Sequence, residues 1–427
     1  MRKRLRLLFL GVCASCVAAA AAAASLLPEG ARLAIVGDSI TEQKLYSKYM
    51  ETYLLACAGR TDIHVFQFGW SGERADGFAS RAANDLGMFK PTVVTTCYGM
   101  NDGQYRPYTE DIGRAYEAST RKYVEILKGM GVKHIVLGSP GAVDTRYFVR
   151  NNFAPLSGAE GYNQNLGKLR DINRRLAGEL GVAFADVHQP MLDAMAKAKA
   201  ALGDDYDVCG RDGFHPGPNG HLIMAYAFLR ALGCDGRVAE LTLDLQGAPQ
   251  VSAGHKVAGG GRNQVELEST RYPFCFDPDP KASSSTRSIA PYFPFNEELN
   301  RFVLKVRNLN APKARVTWGA TSLEFTREQL EAGVNLAAAF PATPFDEAFR
   351  KVMDAVGQKQ NFETLMIKEM VTKFRFFGRE TAADPALAEA FRQVGARLVA
   401  RQEALDAAVR QALTPVRHTL SVTPVTP

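Results

Sequence analysis

Leu33-Ala34-Ile35-Val36-Gly37-Asp38-Ser39-Ile40 is the stretch that decides how this chain folds. Four consecutive apolar residues read as a buried strand and Gly-Asp-Ser as a tight turn. The spacing of Leu45, Tyr49, Tyr53 and Leu54 beyond it predicts a helix. A serine at such a strand-to-helix turn stands at the carboxyl end of a sheet, beside unpaired helix N–H groups and the positive end of a helix dipole. Both features favour the anion that forms when a hydroxyl attacks an ester carbonyl.

Three later stretches supply what Ser39 lacks. A serine hydroxyl is a poor nucleophile without a base, and histidine is the usual base because it titrates near neutrality. Asp212-Gly213-Phe214-His215 offers His215, with Asp212 placed three residues earlier to hold the imidazole tautomer. Ser71-Gly72 offers an unobstructed backbone N–H at Gly72, and Gly99-Met100-Asn101-Asp102 offers the amide of Asn101 just after an apolar strand over 92–97. Together with the N–H of Ser39 itself, these groups are the candidate oxyanion hole. Taken singly, each motif also reads as an ordinary loop, and Asp212, His215 and His221 could instead be metal ligands. No Cys-x-x-Cys or His-Glu-x-x-His pattern accompanies them, so neither metal nor cofactor is expected. His188 and His221 lack an acid three residues ahead and read as structural.

The four blocks, in this order, resemble those of the SGNH hydrolase superfamily, the GDSL-type esterases. The resemblance spans roughly residues 31 to 235. It implies a flavodoxin-like three-layer α/β/α domain with Ser39 as nucleophile, His215 and Asp212 as its base and orienting acid, and Ser39, Gly72 and Asn101 around the oxyanion. The first block has Ile40 where the family name has leucine, a change at an apolar packing position. The resemblance points to a serine esterase acting on small acyl esters, foremost O-acetyl groups on carbohydrate. A lipolytic esterase is the alternative within the class, and a non-catalytic glycan-binding or envelope-assembly protein on a hydrolase scaffold the alternative outside it. The expected partner is an acylated small molecule or glycan. Trp70, Arg74, Tyr98, Gln104, Tyr105 and Arg106 surround the blocks, and that mixture of aromatic faces and donors suits a sugar.

Between the motifs strands alternate with helices. Residues 33–36, 65–68, 93–97, 134–137 and 182–185 read as buried parallel strands, and 116–130 and 166–180 carry the three- and four-residue apolar spacing of helices packed on a sheet. The hydrolase domain is thus expected over 25–236. Beyond it, residues 237–427 form a β-rich extension with inserted helices: β-formers cluster near 241–243, 265–267, 302–306 and 315–318, and Thr326 to Gln329 has a capping-box pattern. Longer helices are expected from Asp346 and Pro385. In the latter, Leu387, Phe391, Val394, Leu398, Leu405 and Val409 form a stripe read as core, or else as the seat of a partner helix. The alternating tail 419–423 is expected to return as a strand. Trp318, Tyr272, Tyr292 and Phe293 read as core, or alternatively as an exposed sugar platform.

A length of 427 residues, 46% of them hydrophobic, allows two domains with full cores. The formal charge of +6 is partly concentrated in Arg2, Lys3, Arg4 and Arg6, so a nucleic-acid partner is not indicated. Those residues precede an apolar run over 7–24 ending in alanines, and residues 1–24 read as a signal peptide directing the protein to the periplasm or outside the cell. A retained anchor is the alternative; after cleavage no integral membrane segment is expected. Cys57, Cys97, Cys209, Cys234 and Cys275 would remain, an odd number, with Cys209 and Cys234 a candidate bridge.

Overall fold

The computed structural model describes residues 25–148 and 158–425, so the signal-peptide reading of 1–24 lies outside the described residues. The five apolar stretches form β1 (Arg32–Gly37), β2 (His64–Gly69), β3 (Val93–Cys97), β4 (His134–Gly138) and β5 (Ala183–Ala185). All pair in parallel, in the order β2-β1-β3-β4-β5. Parallel neighbours require crossover connections. The intervening helices are α1 (Ser39–Glu42), α2 (Leu45–Thr52), α3 (Ala75–Gly87), α4 (Glu110–Gly129), α5 (Thr145–Phe148), α6 (Gly158–Leu180), α7 (His188–Leu202) and α8 (Pro218–Ala231). Both faces of the sheet are covered. Leu33 and Ile35 enter one apolar core with residues of α2, α7 and α8, while Ala34 and Val36 enter a second with residues of α3 and α4. Burial on both faces is why β1 reads as an unbroken apolar run rather than an alternating one.

The helix expected after Ser39 is interrupted. Lys44 adopts a left-handed φ of +59° between α1 and α2, and the segment Tyr53–Cys57 continues as a π-helical turn. The break folds α2 back so that Tyr46 Oη meets Thr41 Oγ1 at 2.8 Å. Ser39 therefore tops a single short turn.

After α8 the chain builds two sheets. One has the order β13-β10-β6-β7, from β6 (Arg237–Asp244), β7 (Gln250–Val251), β10 (Arg301–Arg307) and β13 (Val334–Asn335). The other is antiparallel, in the order β12-β11-β14-β9-β8, from β8 (His255–Gly261), β9 (Gln264–Ser269), β11 (Lys313–Trp318), β12 (Thr321–Thr326) and β14 (Val416–Val425). The expected tail strand is the centre of this second sheet, between β11 and β9. The two sheets share a core in which the rings of Phe302 and Trp318 lie 5.1 Å apart. Trp318 and Tyr272 are fully buried and Phe293 nearly so, which leaves no sugar platform among those three. Thr326 caps the helix Arg327–Ala332 through the predicted box with Gln329.

Two expectations are corrected. Cys209 and Cys234 are unpaired, as are Cys57, Cys97 and Cys275. Cys209 precedes the 14-residue α8 and Cys234 follows it. Such a helix spans about 21 Å, far beyond the roughly 7 Å that a disulfide tolerates between Cα atoms. The apolar stripe on the helix Pro385–Ala412 is likewise not core: of its six members only Val409 is buried, and Val394 is 43% exposed. The buried positions are instead Gly395, Gln402, Asp406 and Val409. This helix docks through hydrogen bonds, from Gln402 Nε2 to Glu363 Oε1 (2.8 Å) and between Asp406 Oδ2 and His64 Nδ1 (2.8 Å), and through partly buried apolar side chains such as Phe391, whose ring lies 4.2 Å from that of Phe374. Its helical partner belongs to the same chain, the helix Asp346–Met366.

Candidate active site

β1 ends on Gly37, where a Cβ would lie 2.1 Å from Thr41 Oγ1 and 2.7 Å from the Cys97 carbonyl, so only glycine lets the first turn of α1 close over β3. Asp38 caps that turn, its Oδ1 accepting from the Ile40 N–H at 3.0 Å. Its carboxyl is buried, and burial pushes it up to about 7 against the pull of that N–H. Ser39 then sits at the surface of the turn, half-buried.

The loop between α7 and α8 delivers the base. Ser39 Oγ lies 2.8 Å from His215 Nε2, and His215 Nδ1 lies 2.7 Å from Asp212 Oδ2. The other carboxylate oxygen accepts the backbone N–H groups of Phe214 (3.1 Å) and His215 (3.0 Å), which folds Asp212 to His215 into one compact turn. Burial raises the Asp212 carboxyl, but the His215 ring and these two N–H groups more than offset it, holding the acid below the usual carboxylate range. An ionised Asp212 accepts a hydrogen bond from Nδ1–H, which leaves the Nε2 lone pair facing the serine hydroxyl.

The oxyanion candidates are brought to the same neighbourhood. Trp70 N–H donates to the Gly37 carbonyl at 2.9 Å, and Ser71 N–H donates to Glu42 Oε2 in α1, so the loop after β2 lies along the nucleophile's turn. Gly72 has φ +74°, and nothing lies within 4 Å of where a Cβ would be; glycine is needed there for backbone shape and not for space. Asn101 Nδ2 donates to the Glu73 carbonyl at 3.1 Å, next to Gly72, and Asn101 Oδ1 accepts from Tyr105 Oη at 2.9 Å. A side-chain amide has two N–H donors. With its oxygen fixed by Tyr105 and one donor on Glu73, Asn101 keeps its second N–H for a ligand.

Several supporting residues were not foreseen. Asp102 ties two blocks together, accepting from Ala75 N–H (2.9 Å) and Gly99 N–H (3.0 Å). Burial pushes its carboxyl up to about 7. Behind the loop, Glu73 accepts a bidentate pair from Arg81 (2.7 Å each) and a bond from Tyr98 Oη (2.6 Å). Tyr98 is consequently buried and not part of the rim where the sequence placed it. Trp70 is half-buried, with Arg81 and Lys368 each about 5 Å from its ring centroid. The 73/81 pair has the spacing of no local helical motif, and Lys368 is about three hundred residues away in sequence, so neither left a signal. Tyr105, four residues after Asn101, was legible only as a rim aromatic.

The other histidines are engaged elsewhere. His221 Nδ1 accepts from Tyr46 N–H (3.2 Å), so Nε2 donates to Gln43 Oε1 (2.8 Å); burial pushes this ring down to about 3. His188 Nδ1 donates to the Gly141 carbonyl at 2.8 Å, and burial lowers it as well. Both ring nitrogens of His221 are thus taken up by Tyr46 and Gln43.

Residues 35–223 match the sequence profile of the GDSL-like lipase/acylhydrolase family. This part of the chain belongs to that family. The GDSL-like domain makes the protein a carboxylic ester hydrolase, and its fold is the five-stranded parallel one described above. Among curated proteins the chain is similar to an acetylxylan esterase of Geobacillus stearothermophilus, 25% identical over 226 residues, covering 48% of this chain and 94% of that protein. A crystal structure of a catalytic mutant of an acetylxylan esterase from Geobacillus stearothermophilus aligns at 25% identity over 49% of this chain and 96% of its own, with a TM-score of 0.39. A gut microbial diltiazem-metabolizing enzyme aligns over 93% of this chain and 99% of its own, with a TM-score of 0.71 and 20% identity. That last likeness is one of fold, and it extends across the C-terminal sheets and helices as well as the GDSL-like domain.

Proposed function

We propose that this chain is an exported serine esterase that removes small acyl groups, foremost O-acetyl, from carbohydrate. The observation that carries the reading is the unbroken hydrogen-bonded line from Ser39 Oγ through His215 to Asp212, at 2.8 and 2.7 Å. In the first step Ser39 Oγ attacks the ester carbonyl carbon while His215 Nε2 takes the hydroxyl proton and Asp212 stabilises the imidazolium. The carbonyl oxygen, now negative, is held by the N–H groups of Ser39 and Gly72 and by the second N–H of Asn101. The carbon–oxygen bond to the alcohol then breaks, His215 gives its proton to the leaving oxygen, and the acyl group stays on Ser39. Water, deprotonated by His215, repeats the sequence and frees the acid.

Two observations support acetate and sugar. The similar acetylxylan esterase is matched over nearly its whole length, and the rim around the serine offers Arg74 and Gln104 as exposed polar side chains beside the half-buried Tyr105 and Arg106. Export is supported by the basic and apolar pattern of residues 1–24. The test is a chain-length series of simple esters beside a panel of acetylated polysaccharides. The expected result is a kcat/KM that falls steeply from acetyl through butyryl to octanoyl, with acetate released from at least one glycan. A preference for octanoyl or longer esters, without acetate from any glycan, would make the protein lipolytic.

A further inference from the structure

β2 is an edge strand of the parallel sheet, and it runs straight into the loop that carries Gly72. Its outer edge is covered by side chains of the C-terminal extension. Lys359 Nζ donates to the Val65 carbonyl at 2.6 Å, and Glu363 Oε2 accepts the Gln67 N–H at 3.1 Å. From the same helix Thr364 Oγ1 donates to Gln67 Oε1 (2.9 Å), and Gln67 Nε2 passes the contact on to the Thr41 carbonyl in α1 (2.6 Å). One turn later Lys368 Nζ meets Glu42 Oε1 at 2.8 Å, and the other oxygen of Glu42 holds the Ser71 N–H. Residues 359 and 363 stand four apart, as do 364 and 368, on a helical run that turns π-helical over Ile367–Val371, and their side chains follow β2 from its middle to the loop beyond it.

We propose that Lys368 is a positioning residue for the hydrolase site: acting through Glu42, it fixes the Trp70 to Gly72 loop against the nucleophile's turn, so the extension is part of the catalytic apparatus. The assignment rests on the reading of Gly72 as an oxyanion donor. Ser71 alone joins Glu42 to the loop, through its backbone N–H and its hydroxyl. Lys368 gives it a second anchor, and both side chains are mostly buried, with relative exposures of 23% for Lys368 and 20% for Glu42. Burial raises the Glu42 carboxyl, and Lys368 together with Ser71 more than offsets this, so the carboxylate is the form that bridges. The Lys368 ammonium also lies 5.1 Å from the Trp70 ring centroid, which ties it to the loop a second time. An oxyanion donor acts only at hydrogen-bond distance from where the charge develops, so a loosened loop lowers kcat while substrate binding is retained.

The test uses the full chain, with active serine counted by titration with an organophosphonate and Ser39→Ala run beside it. Lys368→Met is expected to lower kcat on an acetyl ester about tenfold, a fraction of the effect of losing a donor outright, with KM within about twofold. Lys368→Arg restores most of the rate. Glu42→Gln gives a loss of similar size, and the double variant Lys368→Met with Glu42→Gln is no worse than Glu42→Gln alone. Wild-type kcat per titrated serine in Lys368→Met, or multiplying losses in the double variant, would overturn the proposal. If Ser39→Ala is inactive while Lys368→Met is normal, only the role of Lys368 fails; an active Ser39→Ala would remove the underlying reading of the site itself.

Discussion

Asn101 is held at both ends of its amide, by the Glu73 carbonyl at 3.1 Å and the Tyr105 hydroxyl at 2.9 Å. Tyr105 reaches it from a backbone that is itself costly: Gln104 and Tyr105 have φ of +58° and +53°, two consecutive non-glycine residues in the left-handed region. Such residues cost about 1–3 kcal/mol each and persist where surrounding contacts over-determine them. Here the ring of Tyr105 packs against those of Tyr162 and Phe214, each 5.3 Å away. Asn101→Ala should lower kcat by roughly 10²–10³ with a smaller change in KM, the usual effect of removing one oxyanion donor. Tyr105→Phe keeps the ring and removes only the hydroxyl, so about a tenfold loss in kcat is expected from a freer amide. In the Asn101→Ala background the same change should do nothing further, and steady-state kinetics of the three variants would show it; losses that multiply would separate Tyr105 from the amide. Asn101 was readable because a glycine-rich loop after an apolar strand is a local pattern. Its clamp was not, because Glu73 contributes a backbone carbonyl and Tyr105 a ring whose orientation depends on packing.

Among the elements, the second sheet of the extension contains a buried polar chain whose donors and acceptors match at every step. His255 Nε2 donates to the Val238 carbonyl (3.0 Å), so its Nδ1 accepts from Ser269 Oγ (2.8 Å). Ser269 Oγ accepts from His418 Nε2 (2.9 Å), and His418 Nδ1 accepts from Trp318 Nε1 (3.1 Å). Both rings must be neutral for this arrangement, and burial, with His255 nearby, pushes His418 down to about 4. An unfolded histidine titrates near 6.5. Between those values the unfolded chain binds more protons than the native one, so this ring's contribution to stability is present at neutral pH and is lost as the pH falls. His418→Gln should therefore cost stability at pH 7.5, and its deficit relative to wild type should shrink by about 2 kcal/mol at pH 5.0. Urea unfolding at the two pH values measures this, and a deficit that stays constant would mean that the ring does not titrate as described. The strands were legible from their alternation, as was the capping box of Thr326 and Gln329. The break at Lys44 was not, since Lys has no preference that marks a left-handed turn. The docking face of the helix Pro385–Ala412 was missed because it is made of Gln402 and Asp406, which apolar periodicity treats as solvent-facing.

On the scale of the whole molecule, four short motifs carried both the fold of the GDSL-like domain and the constellation of its site. Three of the motifs fall at or just after the ends of β1, β2 and β3, where chain direction is set by local rules, and the fourth lies in the loop between α7 and α8. The extension shares an apolar core with that domain, as where the rings of Tyr49 and Phe274 lie 6.0 Å apart, and along β2 and α1 Lys359, Glu363, Thr364 and Lys368 add polar contacts, across about three hundred residues of sequence, that no period announces. Among the described residues no helix is long and apolar enough to cross a membrane. If Ser39 is the nucleophile of an acyl-transfer site, a covalent trap will find it. Full-length protein treated with an organophosphonate should gain one adduct per chain, with peptide mass spectrometry placing it on Ser39 and ester hydrolysis lost in proportion; Ser39→Ala should take up none. An unlabelled wild-type protein, or an adduct on another residue while Ser39→Ala still hydrolyses esters, would contradict the account.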